Sequence, residues 1–394
     1  MPMIDKEEFT ELLPEQSEAC FSLFIPLANG PDEAEKNRIR LKNMAKSVEE
    51  QVAEYADLPV DKAHLLEPLE ALMANGRLPD ANDSKGAALF LKNGDTHLHF
   101  LPYRVPERIV VDQQFYIKPL LPLLTEETEL FLLTLSQNEV SLYHATPEHL
   151  QRKSPEDLPE SIAEALAYDD PEKRQQYHTS TSAPQASGQQ PAAFHTHHPD
   201  DEKKSRLRRF CQQVDESVSA YLSSFNGGQT PLMLAGVDYL LAIYREVNNY
   251  SHLRDEEIQG NVEHFSPAEL QEQVATVVKN KHLQVNKQAL DRFDQLQGSE
   301  LTSTDFAEIV AAAHYGRIET LFVAQDSEQW GTFNVQTGQV ALTEAMTESA
   351  ESYELTNFAS RHTLLNSGTA YLLPAEVMPG SSKLAAIFRY SPNS

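Results

Sequence analysis

The stretch "RLRRFCQQVDESVSAYLSSFNGGQTPLMLAGVDYLLAIYREV" (206–247) decides the fold around it, because three elements with different periodicities follow one another there. Its first part has apolar residues at steps of three and four, which predicts a helix with one buried face. "PLMLAGV" (231–237) is short and continuously apolar, which is typical of a strand buried in a parallel sheet. "DYLLAIYREV" (238–247) returns to helical spacing. The stretch therefore predicts a helix–strand–helix unit of an α/β domain.

The patterns on either side of this unit divide the chain into three predicted domains. Their ranges are 1–125, 126–261 and 262–394. The first begins with a strand-like "CFSLFIPL" (20–27), and Asn93-Gly94 marks a hairpin, which predicts an α+β domain. The last begins at the capping box Ser266-Pro267-Ala268-Glu269 and alternates helices with strands, which predicts an α/β sandwich.

The middle domain contains a strand hairpin followed by a long polar loop, 177–200, with almost no periodicity. Loops of this length inside a domain are usually functional or disordered. The 394 residues include two cysteines, and the acidic N-terminus lacks the plan of a signal peptide. No apolar run is long enough for a membrane span. We therefore expect a cytoplasmic protein that contacts no membrane.

The net charge of −27 argues against indiscriminate binding of nucleic acid and favours a soluble monomer. Contact with RNA would need local basic patches, and two stretches qualify. "KNRIRLKNMAK" (36–46) has five cations and no anion, and "KKSRLRR" (203–209) has five cations in seven residues. The alternative is that both are ordinary solvated helix faces. The candidate RNA-binding residues are Arg38, Arg40, Lys42, Lys203, Lys204, Arg206, Arg208 and Arg209.

Dispersed motifs give the chain a resemblance to a known family over about residues 125–394. They are "DDEKKSRLRRF" (200–210), "LAGVDYLLAIYREVNNY" (234–250), "AHYGRIETLFVAQD" (313–326) and "SGTAYLLPAEVMPGSSKLAAIFRY" (367–390). In this order they resemble the archaeo-eukaryotic class 1 release factors and Pelota, and more closely their bacterial relatives. The resemblance implies an α/β and α+β three-domain architecture. Its middle domain would be ribonuclease-H-like, and its C-terminal domain would be like the kink-turn-binding ribosomal proteins.

The resemblance also implies a function. A protein of this family mimics tRNA, enters the ribosomal A site and contacts rRNA of both subunits. Its bacterial group includes a ribosome-hibernation factor, which implies occupancy of idle ribosomes. The first domain would lie near the decoding centre, and the third would face a translational GTPase such as elongation factor Tu. The first domain lacks Asn-Ile-Lys-Ser, the stop-codon-reading motif of the family, so we expect no stop-codon recognition.

Gly227-Gly228-Gln229 has the letters of the family's catalytic tripeptide, but it lies on a connector of about five residues. Asn-Gly-Gly is also ordinary chemistry for ending a helix. We therefore predict a structural turn. In the family the tripeptide lies on the loop before the middle-domain helix, which corresponds here to 178–199. That loop carries Ser187-Gly188-Gln189-Gln190, in which one glycine is missing.

We expect the loop to approach the peptidyl-transferase centre without catalysing release. Its candidate contact residues are His178, Gly188, Gln189, Gln190, Phe194, His195, His197 and His198. Phe194 and the neutral histidines can stack on bases. The histidines alone supply no clear fourth metal ligand, so we predict no metal and no cofactor. Two alternatives remain: hydrolysis of peptidyl-tRNA through Gln189 or Gln190, and an interaction module with no ribosomal role.

A ribonuclease-H-like nuclease would need carboxylates on its first strand to hold two metals. The strand "LFLLTLS" (130–136) carries none. Asp238 follows the buried strand without obvious acidic partners, and we expect it to cap the next helix. The sequence therefore favours a binding protein over a nuclease.

Overall fold

The computed structural model describes residues 9, 11–13, 20–27, 33–54, 84–92, 95–125, 129–146, 149–167, 199–344 and 352–391. The contacts divide the chain into two compact units. Unit 1 comprises Met1–Thr128 and Asn280–Ser394, and unit 2 comprises Glu129–Lys279. The three predicted domain ranges stay predictions. Among the helices that the structure describes, none is long and apolar enough to span a bilayer.

The described residues form a mixture of strands and helices, which confirms the predicted α/β and α+β class. The strands are β1 (Cys20–Pro26), β2 (Gly86–Lys92), β3 (Asp95–Leu101), β4 (Arg108–Asp112), β5 (Leu130–Leu135), β6 (Val140–Ala145), β7 (Leu150–Lys153), β8 (Leu232–Gly236), β9 (Leu253–Gln259), β10 (Thr302–Ser303), β11 (Ile318–Ala324), β12 (Trp330–Phe333), β13 (Val340–Thr343), β14 (Ser352–Glu354), β15 (Thr369–Leu373) and β16 (Leu384–Phe388). The helices are α1 (Glu33–Glu54), α2 (Pro122–Thr125), α3 (Ile162–Ala167), α4 (Pro199–Ser224), α5 (Asp238–Val247), α6 (Pro267–Leu296), α7 (Phe306–His314) and α8 (Leu355–Leu365).

Unit 2 is built on a five-stranded sheet with the order β7-β6-β5-β8-β9. β8 runs parallel to both of its neighbours, and all five of its residues are buried. Gly236 ends β8 where a Cβ would lie 2.6 Å from the carbonyl oxygen of Leu135, so only glycine fits this approach. Helices α4 and α5 cover one face of the sheet, and the first part of α6 covers the other. The predicted helix–strand–helix unit is therefore confirmed.

The buried face of α4 follows the apolar spacing that the sequence shows. Its buried residues are Leu207, Phe210, Cys211, Val214, Val218 and Leu222. Tyr221 and Phe225 pack at the edge of this core, where each ring meets Phe131 edge-on. Burial raises the pKa of the Cys211 thiol to about 12, so this cysteine is a packing residue and not a nucleophile.

A buried carboxylate joins α4 to the end of α5. Asp215 Oδ1 accepts hydrogen bonds from Tyr244 Oη and from Ser219 Oγ, both at 3.2 Å. Its Oδ2 accepts from the backbone nitrogen of Asn249 at 3.0 Å and from Asn249 Nδ2 at 2.8 Å. Burial, and then the nearby Asp215 charge, raises the pKa of Tyr244 well above its usual range. Each buried polar group here has a partner, so the network stabilises the unit instead of offering a reactive group.

The helix starts in unit 2 give one confirmed prediction and one wrong prediction. The capping box is confirmed, because Ser266 Oγ accepts from the Glu269 nitrogen at 3.3 Å and Glu269 Oε2 accepts from the Ser266 nitrogen at 2.8 Å. The capping role of Asp238 is wrong. α5 begins at Asp238 itself, its N-cap is Val237, and no side chain forms a cap hydrogen bond there among the described residues. Asp238 lies in the first turn, where a carboxylate still interacts favourably with the helix dipole.

The N-terminal part of unit 1 is a four-stranded antiparallel sheet with the order β3-β2-β1-β4. Lys92 pairs with Asp95, which confirms the hairpin predicted at Asn93-Gly94, although residues 93–94 lie outside the described residues. Helix α1 covers one face of this sheet with Leu41, Met44 and Val48. The other face belongs to a core that continues into the C-terminal part of the same unit.

The C-terminal part of unit 1 contains a sheet with the order β10-β16-β11-β15 and a smaller sheet with the order β13-β12-β14. Helices α7 and α8 pack on one side of the larger sheet, and Phe293 of α6 packs on the other. Gly316 has a φ of +70° directly after α7, as expected for the glycine that ends a helix. The N-terminal and C-terminal sheets therefore share a single hydrophobic core.

Arg361 of α8 links the two parts of this core. Its side chain is buried, Nη1 donates to the Leu12 carbonyl at 2.9 Å, and Nη2 donates to the Leu13 carbonyl. Asn357, one turn earlier, accepts from the Ile117 nitrogen at 2.8 Å and donates to the Phe115 carbonyl at 3.1 Å. Helix α8 is thus hydrogen-bonded to backbone groups that follow and precede the N-terminal strands.

Two buried carboxylates lie beside this helix. Glu354 caps α8, since its Oε2 accepts from the Asn357 nitrogen and from Thr356 Oγ1, each at 2.7 Å. Asp112, at the end of β4, accepts from the Glu354 nitrogen at 3.3 Å. Burial raises the pKa of Asp112 to about 7, the Glu354 charge adds to the rise, and Arg361 opposes it. Asp112, Glu354 and Arg361 therefore form one network of charged groups between β4 of the N-terminal sheet and helix α8.

We expect Arg361→Ala to lower the free energy of unfolding of unit 1 by about 3–5 kcal/mol. The change removes the donors of the buried Leu12 and Leu13 carbonyls and one positive neighbour of Asp112. Trp330, the single tryptophan, lies on β12 of unit 1, so its fluorescence during urea unfolding reports this unit.

Arg292→Ala is the matched control. Arg292 is exposed and pairs with Glu319 at 2.7 Å, so we expect its loss to cost less than about 1 kcal/mol. Equal losses for the two variants would show that the buried position of Arg361 has no special energetic role.

Candidate functional site

The loop that the sequence predicts as a contact site falls on residues outside the described part of the chain. This applies to His178, Gly188, Gln189, Gln190, Phe194, His195, His197 and His198, so their roles stay predictions. The structure does describe α4, which begins at Pro199 directly after this segment. Helix α4 therefore follows the loop segment directly in the sequence.

The second and third turns of α4 carry the basic stretch 203–209. Its cations are Lys203, Lys204, Arg206, Arg208 and Arg209, all of which are exposed. Leu207 and Phe210 between them are buried against the sheet. Helical spacing thus separates the two core residues from the cations, and Lys204 and Arg208, one turn apart, share one side of the helix.

One carboxylate of α5 faces this basic surface. Glu246 lies 3.1 Å from Arg208 Nη1 and 4.0 Å from Lys204 Nζ. The Arg208 side chain is 50% exposed, and exposed ion pairs contribute at most about 1 kcal/mol. Exchange of Glu246 for a phosphate is therefore inexpensive.

The second basic stretch lies on α1, and its cations are not equivalent. Arg38 and Lys42 are exposed and four positions apart, so they share a side of the helix. Arg40 is only 28% exposed, because its Nη1 donates to the Pro26 carbonyl at 2.6 Å and its Nε lies 3.2 Å from Glu107. Arg40 therefore anchors α1 to the end of β1, whereas the other four cations of the stretch, Arg38 and Lys42 among them, are exposed.

The Gly-Gly-Gln tripeptide forms a short turn at the end of α4. Gly227 and Gly228 have φ values of +67° and +73°. The Gly228 nitrogen donates to the Phe225 carbonyl at 2.8 Å. Tyr250 Oη lies 2.7 Å from the Thr230 carbonyl oxygen and 3.1 Å from the Gly228 carbonyl oxygen, and its one hydrogen is shared between them. The prediction of a structural turn is confirmed, because hydrogen bonds to Phe225 and to Tyr250 hold this backbone in place.

Two other features limit the chemistry of the described residues. No group of three or more His, Cys, Asp and Glu side chains among them is arranged to hold a metal ion. A cleft of about 190 Å³ lies beside the turn between β5 and β6, with Thr134, Glu139, Tyr143 and Leu270 on its walls. Pockets for drug-sized ligands usually exceed about 300 Å³, so this cleft suits a few waters better than a substrate.

Comparison with known protein families finds a match to part of the chain. Residues 130–317 match the model of "Bacterial archaeo-eukaryotic release factor family 3". The match begins at the first residue of β5, passes through the rest of unit 2 and ends in unit 1 just before β11. None of the curated proteins compared with the chain matches it.

Several solved structures align with the chain at low identity. The crystal structure of an archaeal translation termination factor, aRF1, is 11% identical over 98% of this chain and 99% of its own, with a TM-score of 0.23. The model of ribosome-bound archaeal Pelota and ABCE1 is 11% identical over 76% and 73%, with a TM-score of 0.36. S. cerevisiae Dom34, a translation termination-like factor that interacts with Hbs1, is 10% identical over 82% and 78%, with a TM-score of 0.37. TM-scores this low carry no argument of their own.

We expect Gly228→Ala to destabilise unit 2 by about 1–2 kcal/mol, because an alanine there takes a left-handed backbone conformation. Its Cβ would also lie 3.3 Å from Ser223 Cα. Gly227→Ala is the matched comparison, since its Cβ meets nothing within 4 Å, and we expect the smaller loss there. Thermal unfolding followed by far-UV circular dichroism measures both. If neither variant loses stability, the turn is less constrained than its hydrogen bonds indicate.

Proposed function

We propose that this chain, which is a bacterial homologue of the archaeo-eukaryotic release factors, is a cytoplasmic protein that binds ribosomes and occupies the vacant A site of idle ribosomes. The observation that carries the proposal is the family match over residues 130–317. This segment holds the middle-domain helix α4 and the loop segment in front of it. In the family, that loop delivers the catalytic Gly-Gly-Gln.

The proposed protein binds without catalysing release. At the position of the catalytic loop the sequence reads Ser187-Gly188-Gln189-Gln190, with one glycine fewer than the catalytic tripeptide. The chain's Gly-Gly-Gln, residues 227–229, is held in a turn by Tyr250. Two consecutive glycines allow the close backbone approach that hydrolysis of the ester needs. Their loss from the loop therefore favours a loop that occupies the peptidyl-transferase centre without catalysing hydrolysis.

The basic residues of α4 follow the loop directly in the sequence, where they could hold its C-terminal end on rRNA. The five exposed cations of α4 can neutralise rRNA phosphates, and phosphate contacts position a protein without reading sequence. In a chain with a net charge of −27, contact with rRNA depends on local surfaces of this kind. Arg38 and Lys42 on α1 would make a second contact nearer the decoding centre.

The finer parts of the proposal follow from the resemblance alone. Hibernation follows from the likeness to the bacterial group that includes the hibernation factor Balon, and it implies a role in the stress response. A translational GTPase such as elongation factor Tu would be the partner of the C-terminal part. The loop 177–200 would approach the peptidyl-transferase centre.

The first experiment is co-sedimentation of the purified full chain with vacant ribosomes at increasing salt. We expect binding that weakens as salt rises, because counterion release drives phosphate contacts. The double variant Arg208→Glu, Arg209→Glu should bind about tenfold or more weakly, with a shallower dependence on salt.

Arg152→Glu is the control for this variant. Arg152 is a similarly exposed arginine of β7 with a carboxylate 3.8 Å away, and we expect its reversal to leave ribosome binding unchanged. Wild-type protein that stays in the supernatant at low salt would refute the ribosomal proposal. Normal binding by the Arg208 and Arg209 variant would refute only the role of α4.

The second experiment separates binding from catalysis. Ribosomes loaded with peptidyl-tRNA are incubated with the protein, and an active peptide-release factor serves as the positive control. We expect no release above background. Release that disappears in a Gln189→Ala, Gln190→Ala double variant would establish the alternative, a peptidyl-tRNA hydrolase. Gln229→Ala, in the pinned turn, is the matched control and should change nothing.

A further inference from the structure

An exposed aromatic and basic surface lies at one end of the larger C-terminal sheet, outside every predicted site. We call it the end patch, and it consists of Tyr315, Arg317, Leu365, Arg389 and Tyr390. Tyr315 follows α7 and Leu365 ends α8, while Arg317 precedes β11 and the last two residues follow β16. The Arg389 nitrogen donates to the Arg317 carbonyl at 2.9 Å, so the backbones of the two arginines lie side by side, and the Arg389 guanidinium donates to the Asn366 carbonyl.

The apolar members of the end patch are unusually open to solvent. Tyr315 is 52% exposed, Tyr390 is 46% exposed and Leu365 is 44% exposed. Single exposed apolar residues are normal on a protein surface. Three of them at one end of one sheet, around two arginines, mark a candidate interaction site instead.

Arg317 has hydrogen-bonding capacity that the described residues do not use. Its guanidinium carbon lies 5.1 Å from the centre of the Phe388 ring and 5.9 Å from that of Tyr390. Its Nε and Nη2 are shielded from solvent and have no acceptor among the described residues. Shielded donors without acceptors are costly, so an acceptor from a bound molecule would be favourable.

The surroundings of Arg317 indicate an anionic acceptor that enters from outside. The carboxylate of Glu319, two residues along the chain, is engaged by Arg292 at 2.7 Å. Phe388 is buried, whereas Tyr390 is half exposed, so the Tyr390 side of the guanidinium is the one nearer to solvent. A phosphate oxygen fits, because guanidinium groups form strong charge-assisted hydrogen bonds with phosphate.

We propose that the end patch binds an unpaired segment of RNA. Bases stack on the rings of Tyr390 and Tyr315, and phosphates contact Arg317 and Arg389. Exposed aromatic rings beside cations are the usual means of binding single strands, since every base has a face that can stack. The choice of RNA over a protein partner rests on the proposed function and on the charge of the patch in an acidic chain.

The test uses the full chain and a fluorescent single-stranded RNA of about a dozen nucleotides, followed by anisotropy at ~50 mM salt. We expect Tyr390→Ala and Arg317→Gln each to raise the Kd by about fivefold or more, as for loss of one stacked base or one phosphate contact. The conservative variant Tyr390→Phe should stay within about twofold of wild type, because it keeps the ring.

Two variants in unit 2 serve as controls. Tyr239 is 50% exposed and matches Tyr390, and Arg152 is an exposed arginine that matches Arg317 in charge. Tyr239→Ala and Arg152→Glu should bind the RNA as wild type does. Trp330 fluorescence verifies that unit 1 is folded in each patch variant.

The inference is wrong if the wild type does not bind the RNA, if the patch variants bind it normally, or if the controls lose as much. A protein partner at the end patch would give the second of these results. The assay contains no ribosomes, so it is independent of the proposed function. Normal RNA binding by patch variants with intact ribosome binding overturns only the inference. Loss of RNA binding in patch variants, with no ribosome binding by wild type, overturns only the proposed function.

Discussion

The buried guanidinium of Arg361 is the interaction on which unit 1 depends. It lies on a helix near the C-terminus and donates to the Leu12 and Leu13 carbonyls near the N-terminus. The hydrophobic core around it contains residues of both sheets, so neither sheet can bury its inner face without the other. Such contacts between distant residues require the two ends of the chain to meet before the core closes.

Unit 2 depends on a local arrangement instead. The buried strand β8 pairs with β5 and β9, while α4 arrives before it and α5 leaves after it. Asp215 joins the two helices and Tyr250 holds the turn at Gly228, so the scaffold behind the basic surface is rigid. This scaffold positions the cations of α4. The function proposed for the loop requires such a scaffold.

Much of this scaffold could be predicted, because it depends on the spacing of apolar and turn-forming residues that are close together in the sequence. The apolar stripe of α4, the buried strand, the Asn93-Gly94 hairpin and the Ser266 capping box each follow from backbone geometry over a few residues. The cap of α5 could not be predicted from residue type, since the backbone enters the helix at Val237 and not one residue later. The sequence also offers no reason to separate Arg40 from the other cations of its stretch. Its contacts with the Pro26 carbonyl and the Glu107 carboxylate, which the structure shows, make it an anchor of α1.

By itself the sequence determined the helix–strand–helix order of residues 206–247, the Gly-Gly turn and the likeness to the release factors. Periodicity and turn chemistry act between near neighbours, which is why the sequence suffices for them. Only the tertiary structure decided which charges are buried around Arg361 and which residues form the end patch. Tyr315 and Tyr390 are far apart in sequence, and the pairing of β11 with β16 brings their segments to one sheet end. That proximity depends on strand order, and no local spacing encodes it.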